Sequence, residues 1–253
     1  MSRTPSRRLV PAVLLTAALA LGGCAGADPT PSGSSPHAGA VAAAESLASA
    51  ADSAPAGYLG GGLVLRVEND TVSVVSPEDV DVPVVTEWFD LHCPYCAQFQ
   101  ADAGEVLAER FETGEIALDL HPMAFLDSHS DDDFSTRGAV LLAALADSEQ
   151  PAAWYGTMVG LLAAQPENGT GMSDENMLRI ATEAGADTEA TLASAPEVTV
   201  SQALASRSFE AWIHDQTEAT FAAGLEQVPT VAVDGAFVHG FDRASVETAL
   251  DAL

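Results

Sequence analysis

The stretch Glu87-Trp88-Phe89-Asp90-Leu91-His92-Cys93-Pro94-Tyr95-Cys96 carries two side chains whose type and spacing suit chemistry together: Cys93 and Cys96. They follow Val82 to Phe89, a nearly unbroken apolar run that reads as a strand buried on both faces. They open residues 94–111, where Phe99, Ala103, Val106 and Phe111 fall on or near one helical stripe. At a helix start the unpaired N–H groups and the macrodipole favour negative charge. A thiolate on Cys93 gains from that field, which draws a cysteine pKa from about 8.5 into the range of about 3.5–7.5. Cys96, one turn later, points to the same face and can close a small disulfide ring. Pro94 fits the first turn, where its missing N–H has no helical partner anyway.

Two other uses of the pair compete with redox chemistry. A zinc half-site needs a second set of ligands, and no second cysteine pair exists. His92, His121, His129, His214 and His239 do not fall at finger spacing. An inert structural disulfide gains more from a longer loop, because a longer loop removes more unfolded-state entropy. The favoured reading is a dithiol that exchanges with a disulfide, a chemistry that calls for no metal and no cofactor. His129 with Asp127 and the run Asp131-Asp132-Asp133 can be drawn as a cation site, but such a run more often opens a helix from a solvated loop.

The elements around the motif form one α/β domain. Leu63–Val67 and Thr71–Val75 flank Glu68-Asn69-Asp70, a hairpin signal. Ile116–Leu120 reads as a short strand. From about 133 to 222 the pattern is helical: Arg137–Ala146, Ala152–Ala164, a helix opening at Ser173, and a long one over Val198–Ala223. Trp154, Tyr155 and Trp212 read as core or groove packing. Pro229–Val233 and Ala236–Val238 flank the turn Asp234-Gly235, and Asp242 is placed to cap a last helix over Arg243–Leu253. The order is β-β-β-α-β, a block of helices, then β-β-α.

That order, the motif Cys93-Pro94-Tyr95-Cys96 after the first long strand, and Gln227-Val228-Pro229-Thr230 at the opening of a late strand resemble the DsbA-like branch of the thioredoxin superfamily, exported thiol:disulfide oxidoreductases. The resemblance covers roughly residues 60–253. It implies a thioredoxin-like fold with an inserted helical block at about 128–198. It implies that Cys93 is the exposed nucleophile and Cys96 the buried resolving cysteine. Pro229 is then cis and packed against the pair, with Val228 offering backbone groups to an extended substrate. Glu87, six residues before Cys93, matches that branch's buried acid, which assists proton movement at the buried thiol; otherwise it is a strand-end carboxylate reaching solvent. Tyr95 stands where the best-known members carry histidine. It supplies no charge, so a milder potential is expected. Gln100 stands where a second acid often lies. His92 either compensates for the missing charge or is a solvent-exposed neighbour.

The remaining sequence reads as an address. Arg3, Arg7 and Arg8 precede an apolar run from Leu9 to Leu21, too short to span a bilayer comfortably. Leu21-Gly22-Gly23-Cys24 resembles a bacterial lipobox, which implies a signal peptide over 1–23 and a lipid on Cys24. Residues 24–57, rich in Ala, Ser, Gly and Pro, read as a flexible tether, with the folded domain over 58–253. The expected location is the extracytoplasmic face of a cell membrane. The expected partners are exported cysteine-containing proteins and a membrane protein that reoxidises or reduces the pair. An oxidase is favoured because disulfides persist outside the cytoplasm. A reductase or isomerase of the same fold and a non-catalytic peptide-binding lipoprotein remain as alternatives. Thirty-seven Asp and Glu against nine Arg and no Lys give a net charge of −28 over 253 residues, which repels phosphate backbones and excludes nucleic acid as a partner.

Overall fold

The computed structural model describes residues 54–253. The expected signal peptide, Cys24 and nearly all of the expected tether lie outside the described residues. Among the described residues seven strands form a single sheet: β1 (Tyr58–Leu59), β2 (Gly62–Glu68), β3 (Thr71–Val74), β4 (Val84–Asp90), β5 (Ala117–Met123), β6 (Thr230–Val233) and β7 (Ala236–Phe237). Their order is β1-β2-β5-β4-β6-β7, with β3 paired to β2. β4 runs parallel to β5 and antiparallel to β6, so it lies at the centre with a partner on each side. Both hairpin turns are as their residues suggest. Asn69 and Asp70 have φ 51° and 60°, Asp234 and Gly235 φ 46° and 77°, the paired positive values that a two-residue hairpin matching the strand twist requires.

Among the described residues there are seven α-helices: α1 (Pro94–Glu112), α2 (Phe134–Asp147), α3 (Pro151–Ala163), α4 (Asp174–Glu183), α5 (Val200–Ser206), α6 (Glu210–Ala222) and α7 (Arg243–Asp251). Between β5 and β6 the chain is helical from Phe134 to Ala222, in line with the helical pattern over about 133 to 222. All fourteen residues of α2 are buried, as suits a helix apolar nearly all round. Its polar residues survive burial because each has a partner. Ser135 donates to Asp90, Thr136 to Asp127, and Arg137 pairs with Asp132 and Asp174. The acidic run is therefore held by arginines: Asp132 by Arg137 and Asp133 by Arg207.

One expectation fails at the block's C-terminal end. The single helix over Val198–Ala223 is two, broken where Arg207 takes a left-handed φ of 55°. α5 packs on α2, whereas α6 must also reach β5, and the break lets the chain change direction between them. Just before β1 the chain is held to the domain at Ala56. Asp147, wholly buried at the C-terminal end of α2, accepts from the Ala56 N–H at 2.6 Å and from the Ser194 N–H and hydroxyl at 3.0 and 2.6 Å. No helix among the described residues is long and apolar enough to cross a membrane.

Candidate active site

The carboxyl end of β4 delivers the cysteines. The Cys93 N–H donates to the Asp90 carbonyl at 3.0 Å, turning the chain sharply out of the sheet. Cys93 itself is the N-cap of α1, with extended backbone angles, and its carbonyl takes the first helical bonds from Cys96 and Ala97 at 3.0 and 3.1 Å. Pro94 occupies the first turn and costs no bond. Both sulfurs are free thiols in this structure.

The two thiols sit in opposed electrostatic settings. Cys93 is lowered to about 7, chiefly by a hydrogen bond from the Cys96 side chain and further by the backbone N–H groups of Cys96 and Tyr95. Cys96 is wholly buried, and burial pushes its thiol well up; the bond to Cys93 pushes the same way. Two residues three apart on one helix end thus divide into an easily ionised sulfur and one that keeps its proton.

Cys93 is less open than expected: it is 4% exposed. The loop before β6 folds over it, and its Sγ donates to the Val228 carbonyl at 3.7 Å. The Val228–Pro229 peptide bond is cis. The sulfur is reached through a groove of about 500 Å³ whose walls include His92, Tyr95, Phe125, Leu126, Gln165 and Val228. Tyr95 is 58% exposed, with its ring edge-on to Phe241 at 6.1 Å.

Glu87 does not reach solvent. It is 3% exposed, Oε1 has no hydrogen-bond partner, and burial alone pushes its carboxyl up to about 8. Its charge, when present, adds to the forces raising Cys96. His92 is buried too, contrary to the exposed alternative. Its ring lies edge-on to Phe134 at 5.5 Å, both ring nitrogens lack partners, and burial lowers its pKa. The groups that lower Cys93 are the Cys96 side chain and the backbone N–H groups of Cys96 and Tyr95.

Two further residues, Gln165 and Asp90, shape the site. Gln165, just past α3, donates from Nε2 to the carbonyls of Leu91 and Cys93 at 2.7 and 2.9 Å. Nothing in the sequence marks a glutamine 72 residues downstream as a neighbour of the motif. Asp90 offered a signal, a carboxylate ending an apolar strand. It is wholly buried and accepts from the His92 N–H (2.8 Å), the Ser135 hydroxyl (2.6 Å) and the N–H groups of Phe125 and Leu126 (3.0 and 3.2 Å).

Residues 79–252 match a family model described as Thioredoxin. The chain belongs to the thioredoxin family. Within that family, its fold is similar to DsbA-type structures. MdbA, a thiol-disulfide oxidoreductase from Actinomyces oris, is 22% identical, with 83% of this chain and 95% of that one covered and a TM-score of 0.62. A reduced disulfide bond oxidoreductase, DsbG from Mycobacterium tuberculosis, is 22% identical over 76% and 87%, at 0.60. Reduced DsbA from the same organism is 21% identical over 76% and 91%, at 0.59. These likenesses speak to the fold: a mixed sheet with helices inserted between β5 and β6. None of the curated proteins matches the sequence.

Proposed function

We propose that this thioredoxin-family chain is a thiol:disulfide oxidoreductase that passes the Cys93–Cys96 disulfide to cysteines of exported proteins. The observation that carries the reading is the opposed setting of the two thiols at one helix end, with the Cys93 sulfur bonded to the Val228 carbonyl. A client thiolate attacks Cys93 Sγ of the oxidised pair. The S–S bond breaks, its electron pair leaves on Cys96, and Cys96 takes up a proton. Glu87, neutral below about pH 8 and buried on the same side, is suited to supply that proton. The client's second thiolate then attacks the client sulfur of the mixed disulfide, and Cys93 departs as a thiolate. A low pKa makes Cys93 the better leaving group, which favours release of oxidised client. The client has lost two electrons and the cysteine pair has gained them.

A second reading, a reductase or isomerase, draws support from the value itself. A cysteine near 7 is thioredoxin-like, whereas the strong oxidant DsbA lies near about 3.5. A redox titration of the pair decides: a potential near about −120 mV makes it an oxidant, one near about −270 mV a reductant. Cys96→Ser leaves Cys93 with no internal resolving thiol, so it should accumulate mixed disulfides with an oxidised client. Their absence would count against Cys93 as the attacked sulfur. A wild-type protein that captures peptides but exchanges no thiols would be a binding protein that keeps only the fold.

The export signal read in residues 1–23 supports a location for this chemistry outside the cytoplasm. Lipid on Cys24 would hold the domain near a membrane partner able to take up or supply the two electrons. Cys24→Ser should release the protein from membranes; unchanged fractionation would mean that Cys24 is not the anchor.

A further inference from the structure

Among the groups near the cysteines, Asp90 is the one that joins three separate segments through a single side chain. Oδ1 accepts from the His92 N–H and the Ser135 hydroxyl, and Oδ2 accepts from the Phe125 and Leu126 N–H groups. The first contact lies in the turn that sets Cys93. The second is in the first turn of α2, the central helix of the inserted block. The last two lie in the wall of the groove that leads to the Cys93 sulfur. Asp90 and Ser135 are both wholly buried, so water does not stand in for any of these bonds. Four donors converge on two oxygens, an arrangement that only an ionised carboxylate accepts in full.

We propose that Asp90 is a positioning residue for the thiol exchange: its carboxylate fixes the Cys93 turn in register with the Phe125–Leu126 groove wall and the inserted helical block. This rests on the oxidoreductase reading for its kinetic consequence, but the positioning of Cys93 is testable without it. An Asp at strand end need not do this; a carboxylate shared by turn, groove and insertion does. The backbone N–H groups of Tyr95 and Cys96 help to hold the Cys93 thiolate, and they aim at its sulfur only while the turn keeps its shape. Asp90 therefore has two opposed effects on Cys93. Its charge disfavours the thiolate, and its geometry favours it.

Asp90→Asn separates these effects. It keeps the volume, removes the charge, and sets an amide N–H₂ against two of the four donors. The experiment uses the full chain, with iodoacetamide alkylation of Cys93 followed against pH. Alongside it, steady-state kinetics use a fluorophore-labelled synthetic dithiol peptide. Under positioning, the alkylation midpoint rises above the wild-type value, and KM for the peptide rises about tenfold while kcat changes less than threefold. A midpoint that falls would mean that Asp90 acts only as a charge. A lowered melting temperature with midpoint and KM unchanged would mean that it serves stability alone. Either result overturns the proposal. Ser135→Ala keeps the charge and removes one donor; it should move both readouts in the same directions by two- to threefold. Should the Asn variant fail to fold, Ser135→Ala decides: an unchanged midpoint and KM overturn the proposal. If the wild type exchanges nothing with the peptide, the oxidoreductase reading fails, and the alkylation midpoint alone judges Asp90.

Discussion

Glu87 and Asp90 stand three residues apart on β4, and water reaches neither side chain. Glu87 pairs in the sheet with Leu120 and Val231, near enough to Cys96 to raise its thiol, and its Oε1 has no hydrogen-bond partner; burial raises it to about 8. Asp90 is buried just as deeply at the end of the same strand, where four donors meet it, and it rises only to about 6. The difference between the two regions is hydrogen bonding to the charged form, which offsets much of the desolvation. One acid is thereby left neutral near pH 7, fit to hold a proton beside a thiol. The other is left ionised and fit to hold the chain in place. The same contrast separates the cysteines: donors reach Cys93, and burial rules Cys96.

The comparison can be broken most directly at Glu87. A carboxyl whose folded pKa lies above its unfolded one binds its proton more tightly when folded. Its contribution to stability is therefore intact below the unfolded value of about 4.5, falls as pH rises, and levels off above about 8. Glu87→Gln should remove that fall, stabilising the protein by about 4 kcal/mol at pH 8 and by almost nothing at pH 4. Urea midpoints measured across this pH range check it; a pH-independent difference would mean that Glu87 is not desolvated in the native fold. The same variant should slow exchange about tenfold by withdrawing the proton donor.

At Asp90 the sign reverses. Asp90→Ala orphans three backbone N–H groups and a hydroxyl, and should lose about 2 kcal/mol at pH 8 after the relief of its own burial is counted. A gain there, like that at Glu87, would erase the distinction between the two acids. The smallest effect is expected at Gln165→Ala, which leaves the Leu91 and Cys93 carbonyls without their side-chain donor. The loss should be about 1 kcal/mol by denaturant unfolding, with the Glu87 pH window unchanged.

Much of the site was legible because its signals are local. The apolar run before Cys93, Pro94 after it, and the Asp234-Gly235 turn are each a property of a few adjacent residues, and the structure places each as read. Where a reading failed, two remote segments had to be compared. Val198–Ala223 has continuous helical character, yet the chain breaks at Arg207 to serve two neighbours. His92 is polar and sits next to a reactive motif, so exposure was a fair expectation; Phe134, 42 residues on, covers it instead. Cys93 was expected at an open helix tip, and the Val228 loop closes over it from 135 residues away.

By itself the sequence determined the dithiol, the strand that delivers it, the helix that receives it and the order of elements around them. Hydrophobic period and turn chemistry are written in neighbouring residues. Only the tertiary structure decided which acid keeps its proton and which holds a charge, how far Cys93 is covered, and that Gln165 and Ser135 reach the cysteine turn. Those outcomes depend on which donors arrive at a buried oxygen or sulfur, and the donors come from segments that meet only when the helical block docks on the sheet.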